Sequence, residues 1–277
     1  MFRDGLLRDK RILITGGGTG LGKSIGRRYV ELGARLVICG RRPEPLKTAA
    51  DELMQAYGAV VETHTCDVRD AAAVEHMMAA IWESGPLDVL VNNAAGNFLA
   101  RTERLSPRAV DAVIDIVLKG GAYCTIAVGR RWIEQGHKGT VLCILTQSSF
   151  TGAPFTVPSA MAKAGLLSMI RSLAVEWGPK GIRLVGVAPG PFPTEGAWSR
   201  LMPKERHAEP IEHSVALRRL GRHDELADLC TFLVSDNADF ITGEAIVIDG
   251  GKWLQGAAGS SALRMQGWPE ETWNNIR

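Results

Sequence analysis

The sequence predicts an α/β fold, a doubly wound parallel sheet with helices on both faces. Three observations carry this. Short runs rich in Val, Ile and Leu alternate with segments of helical periodicity along most of the chain. The runs lack a strict apolar–polar alternation, which is the pattern of strands buried on both faces. Strands separated by helices cross over in the right-handed sense, and such crossovers generate parallel neighbours.

The elements follow in order. RILIT (11–15) reads as the first strand, and a glycine-rich turn then leads into an amphipathic helix over about 20–32. RLVIC (35–39), VVETHTC (60–66) and LDVLVNN (87–93) are the next strands, with helices over about 43–57 and 70–84 between them. A long helical segment covers about 106–135 and precedes the strand GTVLCIL (139–145). A helix over about 157–178, the strand IRLVGVA (182–188), a helix over about 223–235 and the strand EAIVID (244–249) complete the pattern. No linker, repeat or low-complexity tract interrupts it, so residues 1–277 are expected to form a single domain.

Two segments break the rhythm. Residues 189–215 are rich in Pro, Gly and charge and follow a strand end, where open α/β sheets bind ligands. They are expected to form the substrate loop. Residues 252–277 form a tail with Trp253, Trp268 and Trp273, expected to pack on its own domain or on a second subunit rather than to hold a ligand.

Composition narrows the function classes. A net charge of +2 over 277 residues gives no reason to expect nucleic acid as a partner. The five cysteines (39, 66, 124, 143 and 230) form no Cys-x-x-Cys pair, and with the histidines they suggest no zinc site. A dispersed, odd set suits buried thiols in a reducing compartment. No run of about 18 apolar residues suggests a membrane span. The first strand begins near Arg11, leaving no room for a signal peptide, and the final NNIR is not a peroxisomal address. A cytoplasmic enzyme is the expectation.

The turn TGGGTGLGKSIG (15–26) sits between the first strand and first helix, with Gly16, Gly20 and Gly22 in Gly-x-x-x-Gly-x-Gly spacing. Glycines there let the backbone approach a pyrophosphate lying on the helix N-terminus, the arrangement of a Rossmann-like dinucleotide site. Gly16, Thr19, Gly20, Leu21 and Gly22 are the cofactor candidates of this turn. At the end of the second strand an acidic residue would hold the ribose of NAD. Here Gly40 is followed by Arg41 and Arg42, and guanidinium groups pair with a phosphate in bidentate fashion. This points to NADP(H). Further along, VPSAMAKAGL (157–166) begins a helix and puts Ser159 and Lys163 four residues apart on one face.

With TGGGTGLG (15–22), CDV (66–68), NNAAG (92–96), Lys163 and PGP (189–191) in this order, the chain resembles the short-chain dehydrogenase/reductase family over roughly residues 8–252. The resemblance implies a seven-stranded sheet and usually a homotetramer. It implies Asp67 and Val68 beside the adenine, and Asn93, Ala94, Ala95 and Gly96 near the ribose. Lys163 would bond the nicotinamide ribose hydroxyls, and Pro189 and Gly190 would border the cofactor.

A narrower likeness lies in NNAAGNF (92–98), DIVLKGGAYC (115–124), PSAMAKAG (158–165), LAVEWGPKGIR (173–183) and APGPFPTEGAWSRL (188–201), which look like the 2,4-dienoyl-CoA reductases. These use NADPH to reduce a conjugated acyl thioester of CoA, and they too place serine four residues before the lysine. The chemistry permits a displaced acid. A ketone reductase makes an alkoxide on the carbon that takes the hydride, so an acid must touch that oxygen. A dienoyl thioester takes hydride at the far end of its conjugated system and forms an extended enolate, to which a proton can come separately.

Mitochondrial-type members place a tyrosine eleven residues before the serine, where this chain has Ser148, and an asparagine where it has Lys119. An aspartate of some peroxisomal members falls on Val117. Ser148 or Ser159 is expected to donate to the thioester oxygen, with Lys163 and Lys119 keeping the field positive and lowering each other's proton affinity. Each has a plainer reading: Ser148 as a strand-end serine bonding local backbone, Ser159 as a helix N-cap, Lys119 as a surface lysine. Tyr123, one turn beyond Lys119, offers a substitute acid, but an aromatic there is expected to pack against the sheet. Between 192 and 225, six Lys/Arg balance six Asp/Glu, so charge gives no patch for CoA phosphates.

Overall fold

In a computed structural model of the chain, residues 2–194, 196, 211–255, 269 and 271 are described. The strands are β1 (Arg11–Thr15), β2 (Arg35–Gly40), β3 (Val61–Thr65), β4 (Val89–Asn92), β5 (Gly139–Ile144), β6 (Ile182–Pro189) and β7 (Ala245–Ile248). They form one seven-stranded sheet in the order β3-β2-β1-β4-β5-β6-β7, with every neighbouring pair parallel. The doubly wound parallel sheet read from the sequence is therefore present.

Alternate residues of each central strand feed two cores. On one face Ile12 and Ile14 of β1 pack with Leu36 and Ile38 of β2 under α1 (Gly20–Glu31), α2 (Pro43–Tyr57) and a late helix over His223–Val234, through Ile25, Leu46, Leu53 and Leu233. On the other face Leu13 and Leu90 pack under α3 (Ala71–Glu83), a helix over Gly120–Gln135 and one over Val157–Trp177, through Met78, Trp132, Leu166 and Ile170. Each large apolar side chain so buried contributes about 1.5–3 kcal/mol. Trp132 is fully buried, and its Nε1–H donates to Leu87 O at 2.6 Å, so its one polar atom is satisfied. β3 lies at the edge and is only half-buried, which is why VETHT carries polar residues.

The long helix expected over 106–135 is continuous but not uniform. It consists of α4 (Pro107–Ile114), a π turn (Asp115–Lys119) and α5 (Gly120–Gln135). Among the described residues, Pro107–Gln135 is the one stretch long and apolar enough to cross a bilayer, and half of its most apolar window is buried in the protein. It reads as a core helix. A short helix not anticipated in the sequence, α6 (Ser148–Thr151), follows β5, and α7 (Val157–Trp177) and α8 (His223–Val234) complete the set.

β1 has β2 on one side and β4 on the other, so strand order reverses between β1 and β4. In open α/β sheets ligands bind in the crevice at the carboxyl ends of such strands.

Candidate active site at the carboxyl edge of the sheet

The cofactor half is built mostly from backbone. Gly16 and Gly20 have φ of +67° and +54°, the left-handed region that favours glycine. A Cβ on Gly22 would stand 2.5 Å from both Asn93 Nδ2 and Gly16 O, so only glycine fits there. Asn93 Nδ2 donates to Thr15 O (2.9 Å) and Gly16 O (3.2 Å), while Thr15 Oγ1 accepts the N–H groups of Asn93 and Ala94, each at 3.0 Å. These bonds staple the glycine turn to the end of β4. Ala95 beyond it is exposed, and Gly96 faces Ile116.

Thr19, the N-cap of α1, makes no side-chain capping bond, and the first turn holds no acid. The positive end of α1 is therefore left open, beside Leu21, which packs on the core below. This cradle fits a pyrophosphate. Across the crevice β6 ends at Pro189, and Gly190 N–H donates to Ile248 O at 2.9 Å, close against Asp249.

At the far end of the cradle Gly40 ends β2, and Arg41 and Arg42 are exposed. Asp67 follows β3, and its carboxylate is gripped by Arg69, with Nε at 2.9 and 3.0 Å from the two oxygens. That hydrogen bonding, aided by the charges of Arg69 and Arg41, holds the Asp67 carboxyl below its usual range. Arg69 escaped the sequence reading, although opposite charges two residues apart at a strand end were a visible signal. Val68 is buried against Gly120, at the start of α5.

The candidate catalytic half centres on Lys163. It is 6% exposed, and its ammonium donates to Ile144 O, the last residue of β5. Burial brings its pKa down to about 8, with the nearby Cys143 opposing that shift, and burial pushes the Cys143 thiol up to about 11. Ser159, 7% exposed, lies one turn before Lys163. The N-cap of α7 is Thr156 and Ser159 is the third helical residue, so the capping reading of Ser159 does not hold.

Ser148 begins α6 and is half-buried. Its carbonyl accepts from Gly152 N–H at 2.9 Å, but its hydroxyl bonds no backbone group among the described residues, contrary to the plainer reading. Thr146 and Gln147 also occupy this strand end, and the Gln147 Oε1 atom is buried with no partner among the described residues. Neither was singled out from the sequence, although LTQSSF is a polar cluster where a buried strand stops.

Lys119 corrects an expectation. Its side chain is 53% exposed, and Nζ lies 2.7 Å from Asp115 Oδ1 within the π turn, an ion pair outside good hydrogen-bond alignment. Asp115 raises the Lys119 pKa, whereas mutual repulsion with Lys163 would have lowered it. Burial, not a second ammonium, is what lowers Lys163. The acid-first i,i+4 pair was readable in the sequence. Val117 is buried in the core.

None of the chain's three tyrosines stands four residues before Lys163. Tyr29 is fully buried, Tyr57 donates to Glu31 Oε1 at 2.8 Å at the end of α2, and Tyr123 packs on the core as expected. Of the expected substrate loop 189–215, residues 195 and 197–210 lie outside the described residues, as do Trp268 and Trp273 of the tail. Trp253, at the base of the tail, stacks at a tilt on Phe150 of α6, with ring centroids 5.5 Å apart.

Residues 16–252 match a family model described as enoyl-(acyl carrier protein) reductase. A Caenorhabditis elegans protein named probable 2,4-dienoyl-CoA reductase 3 [(3E)-enoyl-CoA-producing] is 40% identical, over 100% of this chain and 91% of its own length. A Bacillus subtilis (strain 168) protein named probable 2,4-dienoyl-CoA reductase [(2E)-enoyl-CoA-producing] is 41% identical, over 90% of this chain and 98% of its own. The crystal structure of a short chain dehydrogenase from Bacillus anthracis str. 'Ames Ancestor' superposes with a TM-score of 0.82 at 40% identity, covering 88% of this chain and 97% of that one.

Proposed function

We infer the reaction from one premise: this chain belongs to the short-chain dehydrogenase/reductase family and is an oxidoreductase that uses a nicotinamide cofactor. We propose that it reduces an unsaturated fatty acyl-CoA with NADPH, as a 2,4-dienoyl-CoA reductase. The observation that carries this is the site around Lys163, where the residue one turn before the lysine is Ser159 and not a tyrosine. Without a phenol, an alkoxide-forming ketone reduction lacks its acid, whereas an enolate needs only hydrogen-bond donors. The names of the relatives at about 40% identity support the same substrate class.

The glycine cradle and open end of α1 would hold the pyrophosphate, and Lys163 the ribose hydroxyls. Arg41 and Arg42 beside Gly40 would pair a 2′-phosphate. The reduced nicotinamide supplies the hydride. The hydroxyl of Ser148 or Ser159 would donate to the thioester oxygen as charge builds there, with the Lys163 ammonium keeping the field positive. One proton from solvent then completes the balance: dienoyl-CoA, NADPH and H⁺ give enoyl-CoA and NADP⁺. Lys119, neutralised by Asp115, takes no part. The names of the two relatives differ in the product double bond, so product analysis belongs in the assay. We further propose a homotetramer in the cytoplasm, the first checked by sedimentation and the second by fractionation.

The deciding experiment follows NADPH oxidation with a dienoyl-CoA, an enoyl-CoA and a simple ketone, beside direct NADPH binding. Preference for the dienoyl-CoA supports the proposal. Preference for the ketone overturns the substrate class, and binding without oxidation of any substrate makes the protein a cofactor binder. Arg41→Ala is expected to weaken NADPH roughly ten-fold or more, by loss of a charged hydrogen bond, and to leave NADH nearly unchanged. Equal effects on both would overturn the choice of NADPH.

A further inference from the structure

His223, the first residue of α8, joins three parts of the molecule that lie far apart in sequence. Its Nε2 is 2.7 Å from Pro193 O and its Nδ1 is 2.7 Å from Ser24 Oγ. A carbonyl only accepts, so Nε2 must carry the proton, and in the neutral ring Nδ1 accepts from the Ser24 hydroxyl. Gly20 O, one turn back in α1, is 3.2 Å from Ser24 Oγ and shares the single hydroxyl proton with Nδ1 as a second acceptor. A chain of polar contacts thus runs from the pyrophosphate turn, through α1 and the imidazole, to Pro193 at the stem of the substrate loop.

The parts at each end of this chain are close together. A Cβ on Gly20 would lie 3.5 Å from Thr194 Cγ2, so the residue after Pro193 stands over the cofactor cradle. α8 is itself fastened to α1: Arg28 Nε lies 2.7 Å from Asp228, and Arg27 pairs with Asp224. Gly221 N–H donates to Pro191 O at 3.1 Å, which gives the stem a second tie just before α8. The imidazole is therefore a strut between the helix that begins at the glycine cradle and the Pro193–Thr194 stem of the loop expected to cover the substrate.

We propose that His223 is a positioning residue that couples the cofactor cradle to the substrate loop, so that dinucleotide binding at Gly20 fixes the Pro193–Thr194 stem and favours acyl-CoA binding. This rests on the reductase reading above. By reciprocity, acyl-CoA must then tighten the dinucleotide by the same factor.

The test measures the dissociation constant of a saturated medium-chain acyl-CoA with and without NADP⁺, and the exchange of the Thr194 amide with and without NADP⁺. The wild-type protein is expected to bind the acyl-CoA about five-fold or more tightly with NADP⁺ present, a usual size for such coupling. His223→Leu is expected to bring the factor to about one and to remove the NADP⁺-dependent protection of Thr194. His223→Gln, whose amide reaches Pro193 O as Nε2 does, is expected to restore at least half of the coupling. Ser24→Ala, a smaller change, should lower the factor about two-fold and serves if His223→Leu does not fold.

Wild-type coupling in His223→Leu, or in Ser24→Ala where the first is unfolded, overturns the inference. So does a folded His223→Gln that behaves as His223→Leu. A wild-type protein that binds NADP⁺ but no acyl-CoA overturns the functional reading instead, and the amide exchange alone then decides the strut.

Discussion

The two halves of the crevice are finished to different degrees. In the cofactor half the Asn93 amide and the Thr15 hydroxyl are bonded at 2.9–3.3 Å, and the glycine turn has one geometry that fits. In the catalytic half the hydroxyls of Thr146, Ser148 and Ser159 have no hydrogen bond among the described residues, and Gln147 Oε1 is buried without a partner. Buried polar atoms are almost always paired, so the unpaired Gln147 Oε1, beside the half-buried Thr146 and Ser148, makes this strand end a candidate ligand contact. The first half is a rigid mould, and the second is an open set of donors around one buried cation.

The most severe challenge to this contrast is Lys163→Ala. It is expected to lower kcat/KM by about 100-fold or more, as removal of a group that stabilises transition-state charge does. Steady-state NADPH oxidation measures it, and an active variant would erase the distinction. Gly22→Ala attacks the other half. Its Cβ would meet backbone 2.5 Å away, and overpacking of that kind costs about 1–3 kcal/mol, read as a lower melting point with weakened dinucleotide binding.

The charge on Lys163 sharpens the contrast further. Its folded pKa of about 8 lies below the ordinary lysine value, so the ammonium is lost in the folded protein as pH rises through 8. kcat/KM is expected to fall above that pH, and a variant at Lys163 should lack this limb. The stability effect has the opposite sense. Between about 8 and the ordinary lysine value near 10.4 the unfolded chain binds the extra proton, so this group makes stability rise with pH, as melting at several pH values would show.

The smallest expected effect is also the most diagnostic. Gln147→Leu removes an unpaired buried amide oxygen and should leave stability unchanged or raise it by about 1 kcal/mol, while lowering turnover. A clear loss of stability would mean that the amide is already satisfied.

How far the sequence speaks follows the same division. Central strands such as ILIT and VLVN are legible because both faces are buried, and a parallel sheet follows from the helices between them. The cofactor turn is legible because its residues are consecutive and each glycine answers a local steric demand. The catalytic half is assembled from the ends of β5 and α7, and whether Ser159 caps or lines a cavity depends on where α7 starts. Thr156 takes the cap, and nothing in VPSAMAKAGL announces that. Lys119 was misjudged because periodicity reports which face a residue takes, not what neutralises it. The contact of His223 with Ser24, 199 positions apart, has no trace in local pattern at all.

The π turn at Asp115–Lys119 has a consequence for anyone who counts along this helix. It holds one more residue than an α-turn, and each residue advances an α-helix by about 100°, so α4 and α5 are out of phase with a single uninterrupted cylinder. Deleting one residue there would not simply shorten the helix. It would close the wide turn to an ordinary α-turn and leave α4 and α5 facing as they do, whereas one residue removed within α5 would turn everything upstream by about 100° and carry the loop before Pro107 away from the crevice.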